Sequence, residues 1–411
     1  MKKTIFTVLL LSMTISAFSA PFHSVYKEDF SVKVDIQTTN SKIITGKQNM
    51  DRNLTALELS KKMGNGINLG NTLEATRGLN TSTSRNPTDY ERQWGQPVTT
   101  QEIMNAYKKA GFNSVRIPVA WTNMMKFEQK DYTIAPALLD RVEQVVNYAL
   151  NAGLYVIVND HWDNQWWGMF GSSEPAIRAE AIKLYKSMWT QIAARFKDYD
   201  ERLIFEGGNE ELGGRLNDVT VFSNNKRGIL SEIECYDATN QINQCFVDLV
   251  RSSGGNNDAR FLLIPGYDTD ITKTNSSAYR MPEDKIPNRL LISVHYYTPS
   301  TYCILSEDAN WGKVKKSWGT EQEISQMNRY FEQMKKFTDA GYGVIIGEYG
   351  VSKNKDGTMK DGTPLWMSSV VDICEKYNFV PMLWDCNTFF KKTGKLGFEN
   401  EELAKVYLDR R

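Results

Sequence analysis

Leu138-Leu139-Asp140-Arg141-Val142-Glu143-Gln144-Val145-Val146-Asn147-Tyr148-Ala149-Leu150-Asn151-Ala152-Gly153-Leu154-Tyr155-Val156-Ile157-Val158-Asn159-Asp160-His161-Trp162 contains one full unit of the pattern that organises this chain. Leu138 to Ala152 is amphipathic, with apolar residues returning every three or four positions, and it stops at Gly153. Tyr155–Val158 follows as a short run that is apolar at consecutive positions. Such a run is too short for a helix and reads as a strand buried on both faces, as in a parallel sheet. The strand then runs into polar and aromatic residues, Asn159-Asp160-His161-Trp162.

The same unit recurs on both sides. Short apolar runs occur at Gly66–Leu69, Ser114–Ile117, Tyr155–Val158, Leu203–Phe205, Phe261–Ile264, Leu290–Val294, Gly343–Ile346 and Val380–Leu383. Helix candidates lie between them: a helix opened by a capping box at Thr99-x-x-Glu102 and ending near Gly111, then Leu138–Ala152, Ala176–Phe196, Asn240–Arg251, Glu321–Ala340, Trp366–Tyr377 and Glu401–Leu408. After the fifth run the pattern is irregular, with a short helix expected near Pro282–Lys285. Strands alternating with helices imply parallel pairing through crossovers, and eight units in about 350 residues match a (β/α)₈ TIM barrel of the α/β class. The competing open, doubly wound sheet usually carries a glycine-rich phosphate loop after its first strand, and Asn65-Gly66-Ile67-Asn68-Leu69-Gly70 has the wrong spacing for one.

The rest of the chain frames this domain. Lys2 and Lys3 precede an apolar run from Ile5 to Ile15, and Ser16-Ala17-Phe18-Ser19-Ala20 offers small residues for cleavage after Ser19. This is the pattern of an export signal at residues 1–19, with the mature protein expected to be secreted or periplasmic. Residues 20–55 read as a polar lead-in with one strand at Ser31–Ile36, and residues 56–411 as a single catalytic domain with no linker to an appended module. Lys+Arg and Asp+Glu are equal at 49 each, so the basic excess of a nucleic-acid binder is missing, and no later segment is apolar enough to span a membrane. Nothing in the sequence calls for an oligomer or a cofactor, so a monomer with none is expected. Cys235, Cys245, Cys303, Cys374 and Cys386 make an odd set; Cys235 and Cys245 are near enough in sequence for a disulfide, or are two buried thiols.

In a barrel of this kind the chemistry sits where strands end at the C-terminal face. Arg116 lies in the second strand, His161 follows the third, Asn209 and Glu210 follow the fourth, and His295 and Tyr297 end the sixth. Glu348 ends the seventh and Trp384 the eighth. Two carboxylates at strands four and seven thus face each other across the mouth. That is what glycoside hydrolysis needs: one group to protonate the leaving oxygen, the other to attack the anomeric carbon. A metal site from His161, His295 and a Glu is the rival, but no His-x-x-x-His or comparable spacing supports one.

At these residues the sequence resembles glycoside hydrolase family 5, the cellulase family. The resemblance runs from Gly64 to Asp385 and rests on Gly66-Ile67-Asn68-Leu69-Gly70-Asn71-Thr72-Leu73-Glu74, Val115-Arg116-Ile117-Pro118, Asn209-Glu210, His295-Tyr296-Tyr297, Ile346-Gly347-Glu348-Tyr349-Gly350 and Trp384-Asp385, in that order. It implies a retaining endo-β-1,4-glucanase with Glu210 as acid/base and Glu348 as nucleophile. It implies further that Arg116 and Tyr297 hold the nucleophile, that Asn209 bonds the sugar 2-hydroxyl, that His161 and His295 line the same subsite, and that Trp384 forms its floor. The chain departs from the family pattern at Glu211, where Pro or an aliphatic residue is usual, at Glu74, where Asp is more common, and at Cys386-Asn387, in place of Asn-Gly.

Of the ten tryptophans, Trp94, Trp121, Trp162, Trp166, Trp167, Trp311 and Trp318 fall in loops or just past strand ends. The run Trp162-Asp163-Asn164-Gln165-Trp166-Trp167 is the best candidate for an outer sugar subsite, with Trp166 and Trp167 as platforms. The expected partner is therefore a β-glucan chain, with xyloglucan, xylan and mannan as alternatives. A barrel that binds glycans without cleaving them is a rival reading, which the intact carboxylate pair opposes. An aldolase or phosphate-handling barrel would want a strand-end lysine or a phosphate loop, and Lys353 and Lys355 lie in a polar loop instead.

Overall fold

The computed structural model describes residues 28, 47–77, 82–163, 166–408 and 410. The segments read from sequence as an export signal and as a strand at Ser31–Ile36, together with residues Asn164 and Gln165, lie outside the described residues. Eight parallel strands close into a barrel in chain order: β1 Gly66–Asn68, β2 Ser114–Ile117, β3 Tyr155–Asn159, β4 Leu203–Glu206, β5 Leu262–Asp270, β6 Leu290–Tyr296, β7 Gly343–Tyr349 and β8 Phe379–Leu383. The ring closes where Gly66 pairs with Met382 and Ile67 with Leu383. All eight apolar runs are strands, because each is buried against the barrel interior on one face and against helices on the other.

Two cores result. Ile157, Ile204, Leu263, Leu291, Ile345, Val380 and Met382 point inward and pack together at the base of the barrel with Leu54, Ala56, Leu59 and Met63. The last three belong to helix Ala56–Met63, opened by a reciprocal capping box between Thr55 and Glu58. This helix plugs the base, and Gly343 makes room for it: a side chain there would meet Ser60 Oγ at 2.7 Å and the Ala56 carbonyl at 3.1 Å. The second, larger core lies between the outer strand faces and the surrounding helices.

Local details differ from the sequence reading. The helix after β1 begins at Gln101 with Thr100 as its N-cap, so the Thr99 capping box does not form; the Thr99 amide donates instead to Glu91 Oε2 at 2.7 Å. Residues 282–285 are not helical, and the short helix of that region is Ile271–Thr274. The stretch Glu321–Ala340 is two helices, Glu321–Glu332 and Lys335–Asp339. Cys235 and Cys245 sit on one helix, Glu232–Ser252, ten residues and so about 15 Å apart, and cannot bridge. All five cysteines are free thiols, four of them buried. Among the described residues no helix is long and apolar enough to cross a membrane.

Candidate active site

The upper ends of the strands depart from regular pairing. Register shifts occur in β6 between Val294 and His295 and in the facing part of β7, and beyond them His295 pairs with Glu348. Such irregularities re-aim side chains, and here they bring a histidine from one strand beside a carboxylate from the next.

Arg116 is the hub of the site. It is fully buried, so each face of its guanidinium must find a partner. Nε donates to Glu206 Oε2 at 2.6 Å, Nη1 to Asn68 Oδ1 at 3.0 Å and to Glu348 Oε1 at 2.9 Å, and Nη2 to Asn209 Oδ1 at 2.7 Å. One cation thus ties together groups from β1, β4 and β7. Because Arg116 can only donate, Asn209 must turn its oxygen to it, which leaves the Nδ2 amide to donate elsewhere.

Glu348 is buried and held at both oxygens: Arg116 takes Oε1, and the Tyr297 hydroxyl donates to Oε2 at 3.0 Å. Glu210 has one side-chain partner, His295 Nδ1 at 2.8 Å from its Oε1, and its side chain is 36% exposed toward the cleft. His295 Nδ1 is also 3.7 Å from Glu348 Oε2. His161 Nδ1 faces the Asn159 amide at 3.3 Å, which places the ring hydrogen on Nε2, 3.9 Å from Glu348 Oε1. Its ring stacks on Trp384 with centroids 5.6 Å apart and planes 8° apart.

Charge in the cleft is shared among these groups. Burial presses Glu348 above the ordinary carboxylate range, opposed by the charges of His295 and Arg116 and by the Tyr297 hydrogen bond, and reinforced by Glu210. Burial raises Glu210 too, but the hydrogen bond and charge of His295, then Arg215 and Arg116, outweigh it and hold Glu210 below that range. Burial lowers His295, and the pull of Glu348 and Glu210 more than reverses it. His161 is pushed well down by burial and by the cations Arg116, His295 and Arg215, so its ring is neutral. Taken singly, the shifts of the two glutamates run opposite to the expected roles. Hydrogen bonding decides between them: Glu348 is fixed by two donors, one permanently charged, whereas Glu210 shares a single proton with His295.

Glu210, His295 and Glu348 each offer a ligand atom within 4.8 Å of the others, the one such group among the described residues. Arg116, 2.9 Å from Glu348, already supplies positive charge there, so the donor set suits a proton better than a metal ion. The His161–His295 metal reading gains no support, since His161 is not among these converging ligand atoms.

The site opens into a cleft of about 620 Å³ whose walls include Glu74, Trp94, Trp162, Tyr297 and Trp384. Trp166 and Trp167 do not reach it, which corrects the expectation that they are sugar platforms. They form a short turn, Trp166–Gly171, that folds both indoles inward. They stack on each other at 4.5 Å, pack against Phe170 and Tyr185, and are at most 1% exposed. Trp167 Nε1 donates to Asp160 Oδ2 at 3.0 Å. The ring this loop presents is Trp162, 40% exposed, with a left-handed backbone (φ 49°) and the Arg215 guanidinium 4.4 Å over its face. Sequence reasoning also missed Glu206. Its signal was a second carboxylate in the strand-four run, two strands from an inward-facing arginine that needed a partner.

Residues 70–389 match the family model Cellulase (glycosyl hydrolase family 5). An endoglucanase A from Paenibacillus barcinonensis is 36% identical over 361 residues, covering 81% of this chain and 83% of that protein. A xyloglucan-specific endo-β-1,4-glucanase from Bacteroides ovatus is 35% identical over 351 residues, covering 81% of this chain and 65% of the relative. Among solved structures, a Bacteroides ovatus family 5 xyloglucanase in complex with a XXXG heptasaccharide superposes with a TM-score of 0.73 at 29% identity, covering 92% of this chain and 80% of that one. A family 5 lichenase from Caldicellulosiruptor sp. F32 gives 0.73 at 29% identity, covering 91% and 100%. With the barrel, the paired glutamates and these likenesses in agreement, the chain belongs to the cellulase family, glycosyl hydrolase family 5.

Proposed function

We propose that this protein cuts β-1,4-glucan backbones internally by double displacement with retention, Glu348 acting as nucleophile and Glu210 as acid/base. The observation that carries this reading is the approach of the two carboxylates, an oxygen of each lying within 4.8 Å of the other. Retaining enzymes hold the pair about 5–5.5 Å apart so that one can attack directly, whereas inverting enzymes leave about 6.5–9.5 Å for a water molecule.

The residues then act in sequence. A glucosyl unit settles against Trp384, whose flat ring suits the apolar face of the sugar. Binding expels water and favours the uncharged form of the Glu210–His295 pair, which moves the shared proton from His295 onto Glu210. Glu210 gives that proton to the glycosidic oxygen as Glu348 attacks the anomeric carbon. Arg116 and Tyr297 keep the attacking carboxylate turned and ionised. Asn209, its oxygen tied to Arg116, offers its amide hydrogens to the 2-hydroxyl, a contact that strengthens in the transition state. Glu210, now a carboxylate, takes a proton from the water that hydrolyses the glycosyl ester.

The names of the relatives favour glucan and xyloglucan backbones as substrates. The basic, then apolar, then small-residue N-terminus supports export, and the lack of a basic excess in the sequence fits a polysaccharide better than a nucleic acid as partner. The test is reducing-sugar release from carboxymethyl cellulose, barley β-glucan, xyloglucan, xylan and mannan, with Glu348→Gln as control. Activity on a glucan that vanishes in the variant is expected. Full activity in Glu348→Gln would overturn the assignment.

A further inference from the structure

Glu210 turns into the cleft, and the next residue turns away from it. Glu211 lines a small cavity bordered by Trp162, Asp163, Trp167, Arg215 and Asp218. The cavity is about 10 Å³, room for roughly one water molecule. Glu211 is 4% exposed, and neither of its carboxyl oxygens has a hydrogen-bond partner. The neighbouring charges are committed elsewhere. Arg215 gives Nε to Asp218 Oδ2 at 3.0 Å and lays its guanidinium over Trp162. Asp163 accepts the Thr122 amide at 3.1 Å on each oxygen, and Asp160 accepts from Trp167 Nε1. A buried carboxyl left without donors is costly when ionised, so it must hold either a proton or a cation. Arg215 brings a positive charge near this cavity and favours the carboxylate, but burial outweighs it and favours the proton.

We propose that Glu211 is a positioning residue that sets, from behind the cleft wall, how far into alkaline conditions the acid/base keeps its proton. The inference rests on the reading of Glu210 as acid/base. Burial lifts Glu211 to about 7, opposed chiefly by Arg215 and reinforced by Glu210. The titratable and charged groups facing it are Glu210 on its own segment, Asp160, His161 and Asp163 beyond β3, and Arg215 and Asp218 on the following turn. Of these Asp160 and Asp163 are also raised, burial being the main cause for each, and His161 is neutral. Below neutrality Glu211 is uncharged and leaves Glu210 alone. As it ionises, its negative charge acts across a water-poor wall and strengthens the hold of the Glu210–His295 pair on its proton. The alkaline limb of activity is thereby carried upward.

The experiment compares the pH dependence of kcat/KM on a soluble β-glucan for the wild-type protein and Glu211→Gln, which fixes the neutral state without changing shape. The alkaline limb of the variant is expected to fall by about half a unit or more, with the acidic limb and the activity at pH 5 retained. Superimposable profiles would overturn the proposal. If Glu211→Gln does not fold, as judged by its melting curve, Glu211→Met supplies the same comparison. A wild-type profile with a bell shape and no shift in the variant sinks this proposal alone, whereas a Glu210→Gln variant that kept full activity would sink the acid/base reading as well.

Discussion

Glu206 and Arg116 form an ion pair at 2.6 Å with neither side chain exposed to solvent. Arg116 must reach Glu348, Asn68 and Asn209 at once, and its Nε contact with Glu206 fixes the plane from which the other contacts fan out. Glu206→Gln should therefore impair catalysis without touching substrate, and should lower stability by about 3–5 kcal/mol if the buried guanidinium loses its counter-charge. Urea unfolding and kcat on the preferred glucan check this. A variant with wild-type kcat and midpoint would remove Glu206 from the machinery.

The assignment of the two glutamates predicts different responses to leaving groups. Glu210→Ala should lose about 10²–10⁴-fold on glucan, where the departing hydroxyl needs a proton, and far less on an aryl cellobioside whose phenolate leaves unaided. Glu348→Ala should fail on both. Equal losses on both substrates for Glu210→Ala would contradict its role as acid. Proton NMR of the first product should show the β-anomer before mutarotation.

The loop after β3 gives a paired test of platform against packing. Trp162→Ala should raise KM for longer cello-oligosaccharides while leaving the melting temperature nearly unchanged, because the ring is 40% exposed in the cleft wall. Trp167→Ala should instead cost about 3–5 kcal/mol of stability, since it empties a buried site stacked on Trp166 and packed edge-on against Tyr185. Opposite results would restore Trp167 as a sugar platform.

Stability should also depend on pH in a defined direction. Glu211 and Glu74 are both lifted by burial from 4.5 to about 7. A carboxyl raised on folding stabilises fully below its unfolded value, and that contribution is lost as pH rises through the folded value. The window is therefore about pH 4.5 to 7. Across it the melting temperature of Glu211→Gln should gain on that of the wild type. A constant difference between the two would mean that Glu211 does not hold its proton in the folded state.

The barrel was legible because strands buried on both faces must be apolar at consecutive positions, and all eight such runs formed strands. Their upper ends were not legible: Asn159, Glu206, His295 and Glu348 continue strands as polar residues, and a hydrophobicity pattern stops one step too soon. Glu210 and Glu348 stood out by position at the ends of strands four and seven, and the structure brings them together. Glu206 did not, because only the tertiary path of Arg116 shows which carboxylate it meets. Trp166 and Trp167 show the limit of composition: an indole suits a sugar or a core equally well, and the turn of the chain that chose the core leaves no local mark. The capping box at Thr99 failed for a related reason, since Glu91, far from the helix start, took the amide first.

The five unpaired thiols bear on how the molecule matures. Its fold closes without a disulfide, so completing it requires no oxidation of these thiols. Reducing agents should leave its melting curve in place, and preparation in a reducing cell should yield the same molecule as preparation outside one.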